Sequence, residues 1–253
     1  MMEFKDMINQ VIEGDCLEVM KQIPDHSVDL IITDPPYNIS GLSKGIELHG
    51  KPVNISHFGD WDYEFDPEQF IKESKRVLKK NGQIYIFTSD RLIGKYIDLL
   101  IKHDFHYRNT ICWFKTNLMP KIRHHTWRAG TEFMLYAGQS KTEKMKDYTF
   151  NWLGQEEMKN LILRPILSGK ERLKNELGKT LHPSQKPIDI IEKLVKVSSN
   201  EGDLVLDPFG GTMTIGIACI NLKRNYICIE NNSIFYQKGL ERINKLNNQT
   251  KLI

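Results

Sequence analysis

Val28-Asp29-Leu30-Ile31-Ile32-Thr33-Asp34-Pro35-Pro36-Tyr37 is the stretch from which the fold is read. Val28, Leu30, Ile31 and Ile32, three of them β-branched, make a short buried strand. The two prolines end it, because proline lacks the amide hydrogen that a sheet or helix interior requires. A carboxylate, two stiff prolines and an aromatic ring are thereby left at the carboxyl end of a core strand. In open α/β sheets that end is where ligands bind.

Upstream, Val11-Ile12-Glu13-Gly14-Asp15-Cys16 reads as a strand ending in a turn, followed by a helix through Leu17, Met20 and Ile23 that Pro24 closes. Downstream, residues 40–63 form a long loop rich in Gly, Ser, His and Asn, of the kind that is usually functional. Asp66 then caps a helix with Pro67 at its first position and Gln69 completing a capping box. Phe70, Ser74, Val77 and Leu78 give that helix one buried face, and Asn81-Gly82 is expected to end it. Gln83 to Ser89 is a strand, residues 90–103 a helix, and 105–115 and 132–137 are β-rich runs that continue the alternation. Periodicity weakens over 138–181, which reads as an inserted region. Regular structure resumes with a helix at 187–199, a strand at 203–207, a helix from Ile215 to Leu222, a strand at 225–230 and a helix over 233–247. Alternating strands and helices predict an α/β fold with a doubly wound, mostly parallel sheet.

With 253 residues and 40% hydrophobic content, the chain can bury a full core. A net charge of +3 permits a nucleic-acid partner without requiring one. The four cysteines, at 16, 112, 219 and 228, contain no CxxC pair, so neither a disulfide framework nor a zinc site is expected. Met1-Met2-Glu3-Phe4-Lys5-Asp6 lacks an apolar signal region and no run approaches a membrane span of about 18 apolar residues, so a cytoplasmic protein without a membrane partner is expected.

A second site lies at Asp203-Leu204-Val205-Leu206-Asp207-Pro208-Phe209-Gly210-Gly211-Thr212, a strand running into a glycine turn and then a helix. Two glycines after a strand also occur in purely structural turns. The next unit adds weight, because strand Asn225–Glu230 ends in an acid about 20 residues beyond the glycines, where βαβ geometry delivers a carboxylate to ribose hydroxyls. No Lys follows the glycines as a P-loop requires, so an adenosine-type pocket is indicated without a phosphate cradle.

Asp34-Pro35-Pro36-Tyr37, then His182-Pro183-Ser184-Gln185-Lys186-Pro187, then Asp207-Pro208-Phe209-Gly210-Gly211 form three motifs in one order. This set resembles the β class of S-adenosylmethionine-dependent amino DNA methyltransferases, of N6-adenine type. The resemblance implies a Rossmann-like single domain over 1–253, with a catalytic half at 1–137, a target-recognition region at about 115–181 and a cofactor half at 182–253. It places Phe209 and Gly211 along the methionine moiety, with Asp207 and Thr212 completing that turn. It also puts Glu230 on the ribose, Asp15 and Cys16 at the adenine, and Ser184 and Lys186 near the cofactor carboxylate. The plain alternatives are that Asp15 is an ordinary helix cap and Lys186 a solvated charge. Met213 stands where the family usually has the last glycine of Phe-x-Gly-x-Gly, so the turn is expected to pack differently against its helix.

Within this resemblance, Asp34, Pro35, Pro36 and Tyr37 are the catalytic set. An aromatic amine's lone pair is delocalised into the ring; a carboxylate and a backbone carbonyl accepting its two N–H bonds favour a pyramidal nitrogen aligned for direct in-line transfer. The Asp34 side chain and the Pro35 carbonyl suit those roles, and Tyr37 suits stacking on a flipped base. Aspartate, where cytosine enzymes usually carry serine, favours adenine N6. Cytosine N4 methylation, and a DNA-binding protein with a degenerate site, remain the alternatives.

Lys115, Lys121, Arg123, His125 and Arg128 lie in a stretch without an acid until Glu132, interleaved with Trp113 and Trp127, which suits phosphate contact and base stacking. The 40–63 loop, with Lys44, His49, Lys51 and Trp61, is expected to close over the base. Double-stranded DNA is the implied partner, with a homodimer and a cognate restriction endonuclease as further expectations and no metal.

Overall fold

The computed structural model describes residues 2–36, 65–118, 127–141, 148–169, 171–182 and 184–250, together with the backbone of two short strands, β3 (Glu47–Leu48) and β4 (Lys51–Pro52), which pair antiparallel. Among the described residues, eight strands form one open sheet. Their order is β1 (Gln10–Glu13), β10 (Asn225–Glu230), β9 (Leu204–Asp207), β2 (Val28–Thr33), β5 (Leu78–Thr88), β7 (Thr131–Gly138), β6 (His106–Phe114) and β8 (Leu161–Leu163). Neighbours are parallel except around β7, which runs antiparallel to both β5 and β6. The expected doubly wound, mostly parallel sheet is present.

Strand residues alternate between two cores, as period-2 geometry requires. Ile31, Ile84, Ile86, Leu206, Ile227 and Ile229 face one core with α1 (Phe4–Met7), α2 (Cys16–Met20), α3 (Pro67–Val77) and α4 (Ile93–Lys102). Leu30, Ile32, Tyr85, Phe87, Val205 and Cys228 face the other, covered by α5 (Ile188–Ser198), α6 (Thr214–Asn221) and α7 (Ser233–Thr250). No helix of the described residues is long and apolar enough to cross a membrane.

Three expectations change. The runs at 105–115 and 132–137 do not continue a parallel alternation; they pair with each other antiparallel, Trp113 opposite Glu132 and Phe114 opposite Thr131. Side-chain period carries no information about strand direction, so the sequence pattern fits either. Asn81-Gly82 does not end α3. The helix stops at Val77 and the chain turns extended at Leu78, whose buried side chain and pairing with Val28 commit it to β5. The 138–181 region contains a strand, β8, which the weak periodicity hid. The Asp66 cap is as expected: its carboxylate accepts from Glu68 N at 2.9 Å and Gln69 N at 3.4 Å.

The winding reverses between β2 and β9. The chain leaves β2 for β5 through α3, and leaves β9 for β10 through α6, so the adjacent carboxyl ends open a crevice between diverging connections. Ile31 stands opposite Leu206, which brings Asp34 and the 207–211 turn to the same edge.

Met213 begins α6 in the left-handed region, with φ 61° and ψ 35°, the conformation a glycine would hold without strain. Its side chain is wholly buried, and a Cβ added at Gly239 of α7 would lie 2.4 Å from Met213 Cγ. A missing glycine in the turn is thus matched by a glycine in the facing helix. Gly239→Ala is expected to cost about 1–3 kcal/mol by overpacking, measured by chemical denaturation, with a smaller loss in a Met213→Ala background.

Candidate functional site

A cavity of about 660 Å³ lies at the carboxyl ends of β1, β2, β9 and β10. Each strand delivers part of its wall: Gly14 to Leu17 after β1, Asp34 to Pro36 after β2, Pro208 to Thr212 after β9, and Glu230 and Asn231 at the end of β10. His182, Ser184, Gln185 and Lys186 close the side before α5. Of the residues singled out from the sequence, Asp15, Cys16, Asp34, Pro35, Pro36, Ser184, Lys186, Phe209, Gly211, Thr212 and Glu230 meet here. Tyr37 lies outside the described residues, as do Lys121, Arg123, His125 and the side chains of the 40–63 loop.

The glycine turn is held by the acid at the end of β10. Glu230 accepts from Gly211 N at 2.7 Å and from Asn232 N at 2.8 Å. Burial pushes its carboxyl above the ordinary range, and those amide donors partly offset the rise. Gly211 has φ 52°, and a Cβ there would sit 3.2 Å from His182 Nε2. The His182 ring packs edge-on to Phe235 with centroids 4.5 Å apart. Burial, then the nearby Lys186, pulls His182 down to about 4, so it is neutral at pH 7. Phe209 joins Phe65 and Phe70 in an aromatic wall with centroid separations of 5.1 and 5.5 Å. Cys16 is buried, and its thiol is pushed up to about 12 by that burial and by Asp15, so it offers a neutral wall and not a nucleophile. A narrow glycine turn, a strand-end acid, an aromatic wall and a neutral thiol together fit a nucleoside.

Several assignments shift. Asp207, expected among the cofactor contacts, is fully buried beneath the turn and does not line the cavity. Its Oδ1 accepts from Phe209 N at 3.2 Å and Thr33 Oγ1 at 3.3 Å, so it ties the two site strands together. Asp15 is the N-cap of α2, accepting from Leu17 N and Glu18 N at 2.9 and 3.1 Å, while also lining the cavity. Lys186 is no solvated charge: it is 5% exposed and its Nζ lies 2.6 Å from Asp34 Oδ2 and 3.1 Å from Glu132 Oε2. Burial alone would lower this ammonium, but the two carboxylates outweigh it and hold it above the usual lysine value. Lys115, expected on phosphate, turns inward to Glu132 Oε1 at 2.5 Å. Trp113 is buried with its Nε1 donating to Arg164 O at 2.7 Å, whereas Trp127 is 97% exposed. Arg128 is exposed and donates to the Leu118 carbonyl. Glu132, Phe65 and Phe235 have no role in the sequence reading, where Glu132 stands only as the acid that ends the basic stretch, and His182 enters it only as the first residue of its motif. Among the described residues no three His, Cys, Asp or Glu side chains gather as a metal site.

An open sheet whose switch-point crevice joins a strand-end acid, a glycine turn and a second acid on the next strand defines a Rossmann-like nucleotide-binding class. The family profile described as DNA methylase matches residues 28–241. Type II methyltransferase M.HinfI of Haemophilus influenzae is 34% identical over 253 residues, covering 95% of this chain and 70% of that protein. Type II methyltransferase M2.MboI of Moraxella bovis is 29% identical, covering 96% and 90%. The crystal structure of an M1.HpyAVI–SAM complex superposes with a TM-score of 0.71 at 32% identity, covering 93% of this chain and 98% of that one. The chain belongs to the DNA methylase family.

Burial, above all, raises the Asp207 carboxyl to about 8, against an ordinary value of 3.8, and its Oδ2 has no hydrogen-bond partner among the described residues. Between those values the unfolded chain has lost a proton that the folded chain retains, so this group makes stability fall as pH rises from about 4 to 8. Asp207→Asn cannot ionise, so denaturant titrations at pH 5 and pH 8 should show a smaller fall in stability for the variant than for the wild type.

Proposed function

We propose that the protein transfers a methyl group from S-adenosylmethionine to the N6 amino group of adenine in double-stranded DNA. The observation that carries this reading is the position of Asp34: it is the first residue beyond β2, faces the crevice, and shares one cavity with the Gly211 turn and Glu230. S-adenosylmethionine, when bound, supplies an electrophilic sulfonium methyl group. Glu230 would take its ribose hydroxyls, since a carboxylate offers about four lone-pair sites and two backbone amides leave capacity for them. Phe209, Gly211 and Thr212 would flank the methionine arm, with Asp15 and Cys16 beside the adenine ring and Ser184 near the carboxylate end.

Asp34 and the Pro35 carbonyl accept the N–H bonds of the target amine and orient its lone pair; Pro36 keeps that carbonyl fixed, because its ring locks the backbone. Tyr37 stacks on the base lifted from the duplex. Adenine is favoured over cytosine by the resemblance, because the cytosine-N4 enzymes usually carry serine where this chain has Asp34. The region at about 115–181, with Lys121, Arg123, His125, Arg128 and the exposed Trp127, reads the DNA. Action in the cytoplasm, a homodimer and a companion endonuclease belong to the same reading.

Asp34→Ala should lower methyl transfer by at least about a hundredfold, the scale on which a preorganised polar group acts, while calorimetric binding of S-adenosylmethionine changes little. Full activity in that variant refutes the role given to Asp34. Mass analysis of nucleosides from methylated DNA should show N6-methyladenine; N4-methylcytosine would move the assignment to the other amine.

A further inference from the structure

The aspartate assigned to the target amine does not stand alone. Four side chains from four separate segments form a row of alternating charge: Lys115 beyond β6, Glu132 on β7, Lys186 before α5, and Asp34 beyond β2. Lys115 Nζ lies 2.5 Å from Glu132 Oε1, Lys186 Nζ lies 3.1 Å from Glu132 Oε2, and the same Nζ lies 2.6 Å from Asp34 Oδ2. Each ammonium also rests near an aromatic ring, Lys186 at 5.1 Å from the Phe87 centroid and Lys115 at 5.2 Å from Trp113. Two positive and two negative charges sum to zero, so a row this buried leaves no charge uncompensated.

We infer that Glu132, braced by Lys115, is a positioning residue for the methyl-transfer site: it anchors Lys186, which in turn fixes the orientation of the Asp34 carboxylate. The inference rests on the reading of Asp34 as the acceptor of the target amine. A carboxylate at a strand exit can rotate about its terminal bond. An ammonium on one oxygen stops that rotation, and a carboxylate has lone pairs enough to hold the ammonium and an amine together. Lysine is a poor clamp by itself, being a point charge on a flexible four-carbon stem. Glu132 supplies the second fixed point, and the β6–β7 pairing of Trp113 with Glu132 sets where that point stands. Among the described residues, Asp34, Glu132 and His182 face Lys186, with Lys115 behind Glu132 and Asp207 beneath Asp34.

Glu132→Gln keeps the shape of the side chain and removes its charge. In that variant kcat for methylation should fall by about tenfold to a hundredfold, the scale of a small misplacement of reacting groups, while the Kd for S-adenosylmethionine stays within about threefold. The alkaline limb of the kcat profile should also move to lower pH, because Lys186 then keeps one carboxylate neighbour where it had two. Glu132→Asp should recover part of the loss. A Glu132→Gln enzyme with wild-type kcat and profile overturns the inference, as does one whose S-adenosylmethionine affinity falls in parallel with kcat. Should that variant fail to fold, as judged by circular dichroism, Lys115→Met decides: a smaller fall in kcat with unchanged cofactor Kd supports the row, and wild-type kcat overturns it. Asp34→Ala run alongside separates the two readings. Activity there removes the role of Asp34 itself, whereas an inactive Asp34→Ala enzyme beside a fully active Glu132→Gln enzyme removes only the row.

Discussion

The site depends on one contact between strands: β2 and β9 lie side by side and parallel, with Leu30 opposite Val205 and Ile31 opposite Leu206. Everything chemical hangs from the ends of these two strands. Because both run the same way, Asp34 and the 207–211 turn emerge at the same edge. Because the chain leaves them in opposite directions, no crossover covers that edge. Thr33 bonding to Asp207 beneath the floor couples the two exits, so the acid and the glycine turn are set relative to one another by buried backbone and not by loop conformation. Burying β-branched and leucine side chains on both faces of this pair, each worth about 1.5–3 kcal/mol relative to exposure, resists any slip in register.

Ionisable groups follow the same geometry. Where a carboxylate is buried without a cation, as at Asp207, its proton is retained well into the neutral range. Where burial comes with an opposite charge, as at Lys186 and Glu132, both groups are held in the charged form. The cavity therefore has a neutral side, formed by Cys16, His182 and the aromatic rings, and a charged side centred on Asp34.

Much of this was legible in the residues. The strand over Asn225–Glu230, the Asp66 cap and the described residues of the three motifs lie where local chemistry places them, because prolines, caps and apolar runs act over a few residues. The direction of β7 was not legible, since side-chain alternation is the same in either direction. The end of α3 was misplaced because Leu78 is held extended by a strand about fifty positions earlier in the chain. Lys115 was expected on DNA phosphate and Lys186 at the cofactor carboxylate, and each has a largely buried acid as its partner.

The sequence by itself determined the alternation of strands and helices, the acid and prolines at a strand exit, the glycine turn with its distant acid, and through their order the family. Those are properties of neighbouring residues and of period. Only the tertiary structure decided which charges meet: Lys186 with Asp34 across 152 positions, Glu132 between two lysines, and Met213 seated against Gly239. A charge or a bulky side chain states in sequence what it can do. What it does depends on the partner that packing brings within a few ångströms, and that partner is chosen by the sheet order.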